Sequence, residues 1–428
     1  MAVPSAISSF PSGKPGLVIG GGIAGLTTAI EAAEAGCQVI LAEKTPSLGG
    51  RVARMHQYFP KLCPPTCGLE MNFRRLRENP NVTLLTLAEV EEIHGSPGDY
   101  EVTLRLSPRF VSETCTLCGA CAQACPAERP DEFNYGLSKT KAAYLPHGMA
   151  YPARYVIDRA VCPEGCKACK EACAYDAIDL EQKPERKTFR VVAVVAATGW
   201  APYDAAKIAN LGFGKYSNVV TNVIMERLAA VDGPTGGRIV RPFDGKGPQT
   251  VAFVQCAGSR DENHLPYCSA VCCAASIKQA TYIRNLYPQA QITIFYIDVR
   301  TLGRLEDFYA TVTADEKITL VKGKVARVEE DPETRDLLVT AEDVFGGKKK
   351  TQRFDLVVLA TGIVPQTDGL PAGFALDEFR FLSVPEGQAG LYGAGCVRRP
   401  EEVSAAVQDA TGAALKVLQC VARSSQHG

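Results

Sequence analysis

The sequence has almost no charge excess, no long apolar run and few histidines. Its 46 Lys and Arg stand against 47 Asp and Glu, a formal net charge of −1. It therefore lacks the basic face that a protein needs to neutralise nucleic-acid phosphates. Its most strongly apolar run, near Val191–Ala197, is far shorter than the roughly 20 residues of a membrane-spanning helix. The opening MAVPSAISSFPSGKPG has neither a charged n-region nor an apolar h-region, so no secretory leader is expected and 1–15 reads as a flexible tail. Membrane attachment, if any, is expected through a partner. The 5 histidines show no ligand spacing; His147 and His264 read as loop residues. What remains is an ordinary globular composition, 46% apolar and 22% charged, in a chain long enough for two or three domains.

Cysteine is the exception. There are 17 in 428 residues, most of them in tight clusters. Disulfide scaffolds belong to small secreted domains, whereas a chain of this size buries its own core. Clustered cysteines in such a chain read as metal ligands.

The N-terminal pattern is a βαβ unit. A buried strand, GLVIG, leads into Gly20-x-Gly22-x-x-Gly25, then the helical stretch LTTAIEAAEAG, then a second strand, Cys37–Ala42, that ends at Glu43, with Lys44 beside it as a further cofactor-binding candidate. The glycines permit a tight turn, close approach of the backbone to a pyrophosphate, and helix–strand contact. The pyrophosphate would lie on the helix N-terminus, with Glu43 accepting from ribose hydroxyls. An acid there disfavours a 2′-phosphate. By contrast, strand Thr250–Val254 is followed by Gln255-Cys256-Ala257-Gly258-Ser259-Arg260, with cysteine where a pyrophosphate would need glycine. A nicotinamide site is not expected in that half.

Two cysteine runs lie within 108–185. The first is Cys115-x2-Cys118-x2-Cys121-x3-Cys125-Pro126; the second is Cys162-x3-Cys166-x2-Cys169-x3-Cys173. The first matches the bacterial ferredoxin spacing for a [4Fe–4S] cube; structural zinc, which usually groups two CxxC pairs, is the alternative. The second has an extra residue in its first gap and Ala174 in place of Pro, so its loop should bulge. A third set, Cys256, Cys268, Cys272 and Cys273, sits at a strand-to-helix turn. Its spacing suggests a metal or cluster site; a group of buried apolar thiols is the alternative. Cys63 and Cys67 lie in a Pro-rich stretch, either as a redox pair, as a contact to a flavin region, or as small residues in a packed loop. Cys37 and Cys420 read as core.

These motifs carry resemblances. Gly49-Gly50-Arg51 resembles the flavoprotein extension in which a glycine pair and an arginine meet the FAD diphosphate. Ala197-Thr198-Gly199, Ala360-Thr361-Gly362 and GLYGAG (Gly390–Gly395) resemble further flavoprotein marks, although Cys396 stands where the last one normally has Asp. Their order is similar to an α/β, thioredoxin-reductase-like two-Rossmann FAD fold with an inserted ferredoxin-like [4Fe–4S] domain. The implied division is an FAD-binding domain in three parts (16–107, 186–245 and 346–428), the insert at 108–185, and a second Rossmann-like domain at 246–345. Two-cluster ferredoxins imply that Cys115, Cys118, Cys121 and Cys173 hold one cube, and that Cys162, Cys166, Cys169 and Cys125 hold the other.

VQCAGSRD…YCSAVCCAASIKQA and YIDVRTLGR resemble the HdrA family of heterodisulfide reductases. That resemblance implies a third [4Fe–4S] cluster on Cys256, Cys268, Cys272 and Cys273 close to the flavin. It also implies a lysine near the flavin N5, here Lys278; a solvated helix residue is the alternative. HdrA carries further domains at its ends, for which this chain is expected to have no room. Within the family, FPKLCPPTCGLE, NVVTNVIMERLA, GPTGGRIVRP and VQCAGSRDENHLPYCS are most similar to QmoA of the quinone-interacting membrane-bound oxidoreductases. That implies an electron-transfer subunit carrying FAD and three [4Fe–4S] clusters, cytoplasmic and peripheral to the membrane. Its implied partners are a second flavoprotein/iron–sulfur subunit (QmoB-like), a haem-containing membrane subunit (QmoC-like) and adenylylsulfate reductase. The alternatives are a soluble HdrA-like subunit of a sulfur-oxidising or bifurcating complex, and a stand-alone NAD(P)H-dependent flavin oxidoreductase.

Overall fold

The computed structural model describes residues 7–8, 13–301, 303–344, 347–383 and 389–426. Leu302, within the YIDVRTLGR stretch, and the expected boundary at 345/346 lie outside them. The chain divides into two compact units. The first comprises residues up to Ala53, Thr66–Trp200 and the chain from Pro365; the second comprises Arg54–Pro65 and Ala201–Val364.

In the first unit, short apolar strands with no polar alternation make a sheet covered on both faces, which is what a parallel sheet requires. Its order is Leu391–Gly393, Ala193–Ala196, Gly16–Ile19, Val39–Glu43, Val82–Thr86, all parallel. Helix Ile23–Glu34 covers it together with the C-terminal helix Val403–Gln426, and Thr28 Oγ1 donates to Ala410 O at 3.2 Å. A second sheet pairs Ala88–Ser96, Asp99–Leu106 and Glu185–Val191 antiparallel. Ile7–Ser8 adds to it in parallel, so the expected tail of 1–15 contributes a short strand.

That sheet explains how the insert is tolerated. Strand Asp99–Leu106 pairs with Glu185–Val191 in register from Tyr100↔Val191 to Leu106↔Glu185. Everything between leaves and returns through neighbouring strand ends, so the insert occupies the position of a hairpin loop. Arg109, buried at its entrance, fixes it by donating to Pro46 O and to Thr86 Oγ1 (2.9 Å).

In the second unit a parallel sheet runs Val219–Thr221, Leu356–Thr361, Thr250–Ala257, Gln291–Tyr296, Ile318–Lys322. On one face Val251 and Phe253 pack with Ile277, Ala280 and Ile283 of helix Cys272–Leu286. On the other, Ala252 and Val254 pack with Val328 and Val339 of an antiparallel three-stranded sheet. Each buried Val, Ile or Phe of these faces stabilises the fold by about 1.5–3 kcal/mol. Helix Asn222–Ala229 starts at Thr221, whose hydroxyl accepts from Ile224 N.

Three expected segments need correction. Residues 54–65, 201–245 and 347–364, expected in the FAD-binding domain, belong to the second unit; Val219–Thr221 and Leu356–Thr361 are strands of its sheet. Among the described residues, no helix is long and apolar enough to cross a membrane.

Candidate functional site

The glycine turn of the first unit is built by contacts too close for any Cβ. A Cβ on Gly25 would lie 1.8 Å from Gly20 O, and one on Gly20 would lie 2.5 Å from Ala197 O; Gly20 has φ +107°. Gly22, by contrast, faces open space, and no side chain caps the helix that follows it. The other marks close around this turn. A Cβ on Gly50 would lie 2.9 Å from Gly22 Cα, and one on Gly395 would lie 2.8 Å from Ala24 Cβ. Gly199 has φ +72°, and Thr198 Oγ1 donates to Gln366 O at 2.5 Å. Arg51 Nε donates to Trp200 O at 2.8 Å, and its guanidinium stacks over the Trp200 ring. An uncapped helix start beside an open glycine fits a dinucleotide pyrophosphate.

Four residues are not where the motif alone suggests. Glu43 is buried, and both of its oxygens accept from backbone, from Gly21 N at 2.6 Å and Thr45 N at 2.7 Å. It holds the turn closed; Lys44 beside it is exposed. Thr361 belongs to the second unit, where its hydroxyl donates to Asn222 Oδ1 at 2.8 Å and its carbonyl accepts from the Cys272 thiol. Gly362 follows it there, packed on Ser259 and Ser269. Cys396 points its thiol at Glu401 O, and burial pushes the thiol up to about 12. Instead, Asp409 reaches this segment, accepting from Gly395 N at 2.8 Å and from Arg398. Sequence reading missed it because it comes from the C-terminal helix, outside the motif.

The insert brings its two cysteine runs together in crossed fashion. Cys115, Cys118, Cys121 and Cys173 line one cavity with Val111, Tyr155, Ala177 and Ile178. Cys162 and Cys169 each sense the charge of Cys125 and Cys166. Left-handed Leu117 (φ +62°) and Gly119 (φ +81°) wrap the first loop. The extra residue of the second run is absorbed in a turn, with Gly165 at φ +67° and Cys166 N donating to Pro163 O at 3.1 Å. Desolvation raises the Cys121 thiol to about 11 and also raises Cys162 and Cys169. Metal charge would have to displace those protons. Backbone N–H groups already reach sulfur, as Ala177 N does to Cys173 at 3.4 Å. Four thiols around an apolar-walled cavity fit a cube. Among the described residues, no group of three or more His, Cys, Asp or Glu side chains converges as a single-ion site.

The third set sits where the second sheet would present a nucleotide turn. Strand Thr250–Ala257 bulges between Val254 and Ala257, and Cys256 takes the left-handed conformation at φ +55°. Arg260 (φ +57°) and Ala270 (φ +61°) repeat it in the same loop. Such backbone costs about 1–3 kcal/mol per residue and gathers at functional sites. Cys272 and Cys273 open helix Cys272–Leu286. Cys272 senses the charge of Cys256, Cys268 and Cys273, and burial drives its thiol well up; Cys256 is raised to about 11 by the same cause. Ala270 N donates to Cys268 and Arg300 N to Cys273, each at 3.4 Å. The Arg260 guanidinium, paired with Asp298, also faces Cys256 and Cys268.

Lys278 is not a solvated helix residue. It is 1% exposed. Its Nζ is 2.9 Å from Glu226 Oε1, donates to Gln57 O at 2.7 Å, and lies 5.7 Å from the ring centres of Phe59 and Tyr282. Glu226 also accepts from Gln279 Nε2 (2.7 Å), His56 N (2.9 Å) and Tyr282 OH (3.3 Å). Nothing in the motif signals Glu226 as the partner. Cys63 and Cys67 are both exposed, so neither is a small residue in a packed loop, and Cys67 lies in helix Pro65–Glu78. Cys37 and Cys420 are buried core thiols. His147 bonds Ser47 and stacks on Phe133, and His264 bonds Tyr203.

Residues 18–82 match the NAD(P)-binding Rossmann-like domain, and residues 108–128 the 4Fe-4S binding domain. The chain is 39% identical over 95% of its length to an HdrA protein of Methanopyrus kandleri, the second of that organism's iron–sulfur HdrA forms of CoB–CoM heterodisulfide reductase, of which it covers 64%. It is 36% identical over 94% of its length to the HdrA protein of the H2:CoB–CoM heterodisulfide,ferredoxin reductase of Methanothermobacter thermautotrophicus, of which it covers 63%. It thus spans less than two thirds of these relatives. The thioredoxin reductase of T. acidophilum shares the fold, with a TM-score of 0.54 and 15% identity, covering 95% of this chain and 98% of that one. The chain is therefore a thioredoxin-reductase-like α/β protein with a 4Fe–4S insert, similar over most of its length to the HdrA family of heterodisulfide reductases.

Proposed function

We propose that the chain is a flavin- and iron–sulfur-bearing electron-transfer subunit of a heterodisulfide-reductase-type complex, carrying one FAD and three [4Fe–4S] clusters. The observation that carries this reading is the thiol set at Cys256, Cys268, Cys272 and Cys273, seated where the second parallel sheet would otherwise offer a glycine turn to a nicotinamide nucleotide. When bound, flavin exchanges electrons in pairs or singly and iron–sulfur clusters pass them one at a time, so the two together join pairwise chemistry to single-electron transfer. The chain's own part is to hold and tune. The Gly20–Gly25 turn and Gly50 cradle the diphosphate. The apolar walls of the insert exclude water, and backbone N–H groups on Cys173, Cys268 and Cys273 favour the more negative, reduced state. Lys278 is the proposed flavin-side cation, and Glu226 orients it.

Relatives named as HdrA proteins of heterodisulfide reductases favour this reading over a quinone-linked one. The finer assignment, to a module between a membrane quinone pool and adenylylsulfate reductase, rests on the QmoA-like stretches named above. Co-purification with a haem-bearing membrane protein would support it; co-purification with HdrB- and HdrC-type proteins would support the broader one. The direct test is iron, sulfide and flavin content after anaerobic purification. One FAD and about twelve irons per chain are expected from three cubes. Zinc in place of iron, or flavin bleached rapidly by NADH, would overturn the proposal.

A further inference from the structure

Three buried polar side chains beside the third cysteine set have hydrogen-bonding atoms with no partner among the described residues. Gln255 has neither its Nε2 nor its Oε1 bonded, Ser276 has a free Oγ, and Gln279 has a free Oε1. They are 6%, 0% and 1% exposed. Leaving such a group unpaired costs about 1–3 kcal/mol, so three together mark a place where a polar ligand completes the protein.

Their positions converge. Gln255 immediately precedes Cys256 in the bulged end of the strand whose Val251 and Phe253 pack against helix Cys272–Leu286. On that helix Ser276 is four residues after Cys272 and Gln279 three further on, so all three share one face. Gln279 is already engaged through Nε2 to Asn222 O and Glu226. Gln255 and Ser276 are the two uncommitted donors, one on each of the elements that supply Cys256 and Cys272.

We propose that Gln255 and Ser276 donate hydrogen bonds to the sulfurs of the cluster held by this set, and so raise its reduction potential. The proposal rests on the third-cluster reading above. A donor aimed at sulfur stabilises the extra negative charge of the reduced cluster more than the oxidised one. These residues are positioning and tuning groups; they ligate no iron.

The test is an electron-paramagnetic-resonance redox titration of the full-length wild type, Gln255→Met, Ser276→Ala and Ser276→Thr, with iron content measured on each. In Gln255→Met and Ser276→Ala the midpoint of one cluster signal should move to more negative potential, with wild-type iron and the other signals unmoved. Ser276→Thr, which keeps the hydroxyl, should restore the wild-type midpoint. Unmoved midpoints at full iron content would overturn the proposal and leave the cluster reading intact, the two side chains then serving a buried water. Wild-type protein with only about eight irons per chain would overturn both. If Gln255→Met loses iron, the Ser276 pair decides.

Discussion

The turn after strand Gly16–Ile19 and the turn after strand Thr250–Ala257 leave the same edge of the same kind of parallel sheet, yet they are furnished in opposite ways. The first is defined by what has been removed. Gly20 and Gly25 meet backbone at distances no Cβ allows, and Gly22 opens onto space before an uncapped helix. The second is defined by what has been added. The strand bulges, Cys256 takes a left-handed backbone without being glycine, and two more thiols stand at the helix start. In the proposed reading, the first turn offers N–H groups to an anion and the second offers sulfur to a metal. The parallel-sheet plan fixes where a ligand binds, and the side chains of the turn decide which ligand.

The harshest way to break the first turn is Gly25→Val. With a Cβ 1.8 Å from Gly20 O, helix and strand must separate. The expected outcome is loss of flavin and a large drop in thermal stability, read from the flavin spectrum and a melting curve. Lys278→Ala comes next. It strips a buried carboxylate of its cation, a loss of about 3–5 kcal/mol for a pair of this kind. Three other donors to Glu226 should keep the cost at the lower end and the chain folded. The flavin reduction potential should fall; an unchanged potential would remove Lys278 from the flavin's surroundings.

A subtler probe is Cys256→Gly, which makes the second turn resemble the first. It should abolish the third cluster, yet stabilise the cofactor-free chain by about 1 kcal/mol through relief of the positive φ. Denaturant unfolding of the apo protein measures the second effect and iron content the first. Smaller still is Thr221→Ala, worth about 1 kcal/mol as a lost helix cap, with all cofactors retained.

Much of this was legible in the residues. The Gly20–Gly25 turn with its flanking strands, and the cysteine spacings of the insert, are local patterns, and the structure brings the residues of each together. The grouping of Cys173 with Cys115 and of Cys125 with Cys162 follows the pairing implied by two-cluster ferredoxins. What the sequence hid was tertiary. Ala360-Thr361-Gly362 reads as a flavoprotein mark, but the strand that ends in it, Leu356–Thr361, pairs with Thr250–Ala257, a parallel partner about a hundred residues away along the chain. The Glu226–Lys278 pair joins two separate helices, and Asp409 reaches Gly395 from the helix that follows it; no motif spacing announces either. Ile7–Ser8 has a tail-like composition yet pairs with strand Glu185–Val191.

The most direct test of the account is the iron content of the wild type against a Cys272→Ser/Cys273→Ser variant, each purified anaerobically with its flavin quantified. The account predicts a loss of about four irons per chain with FAD unchanged. Equal iron in both proteins would contradict it, because the thiols of the second turn would then hold no cluster.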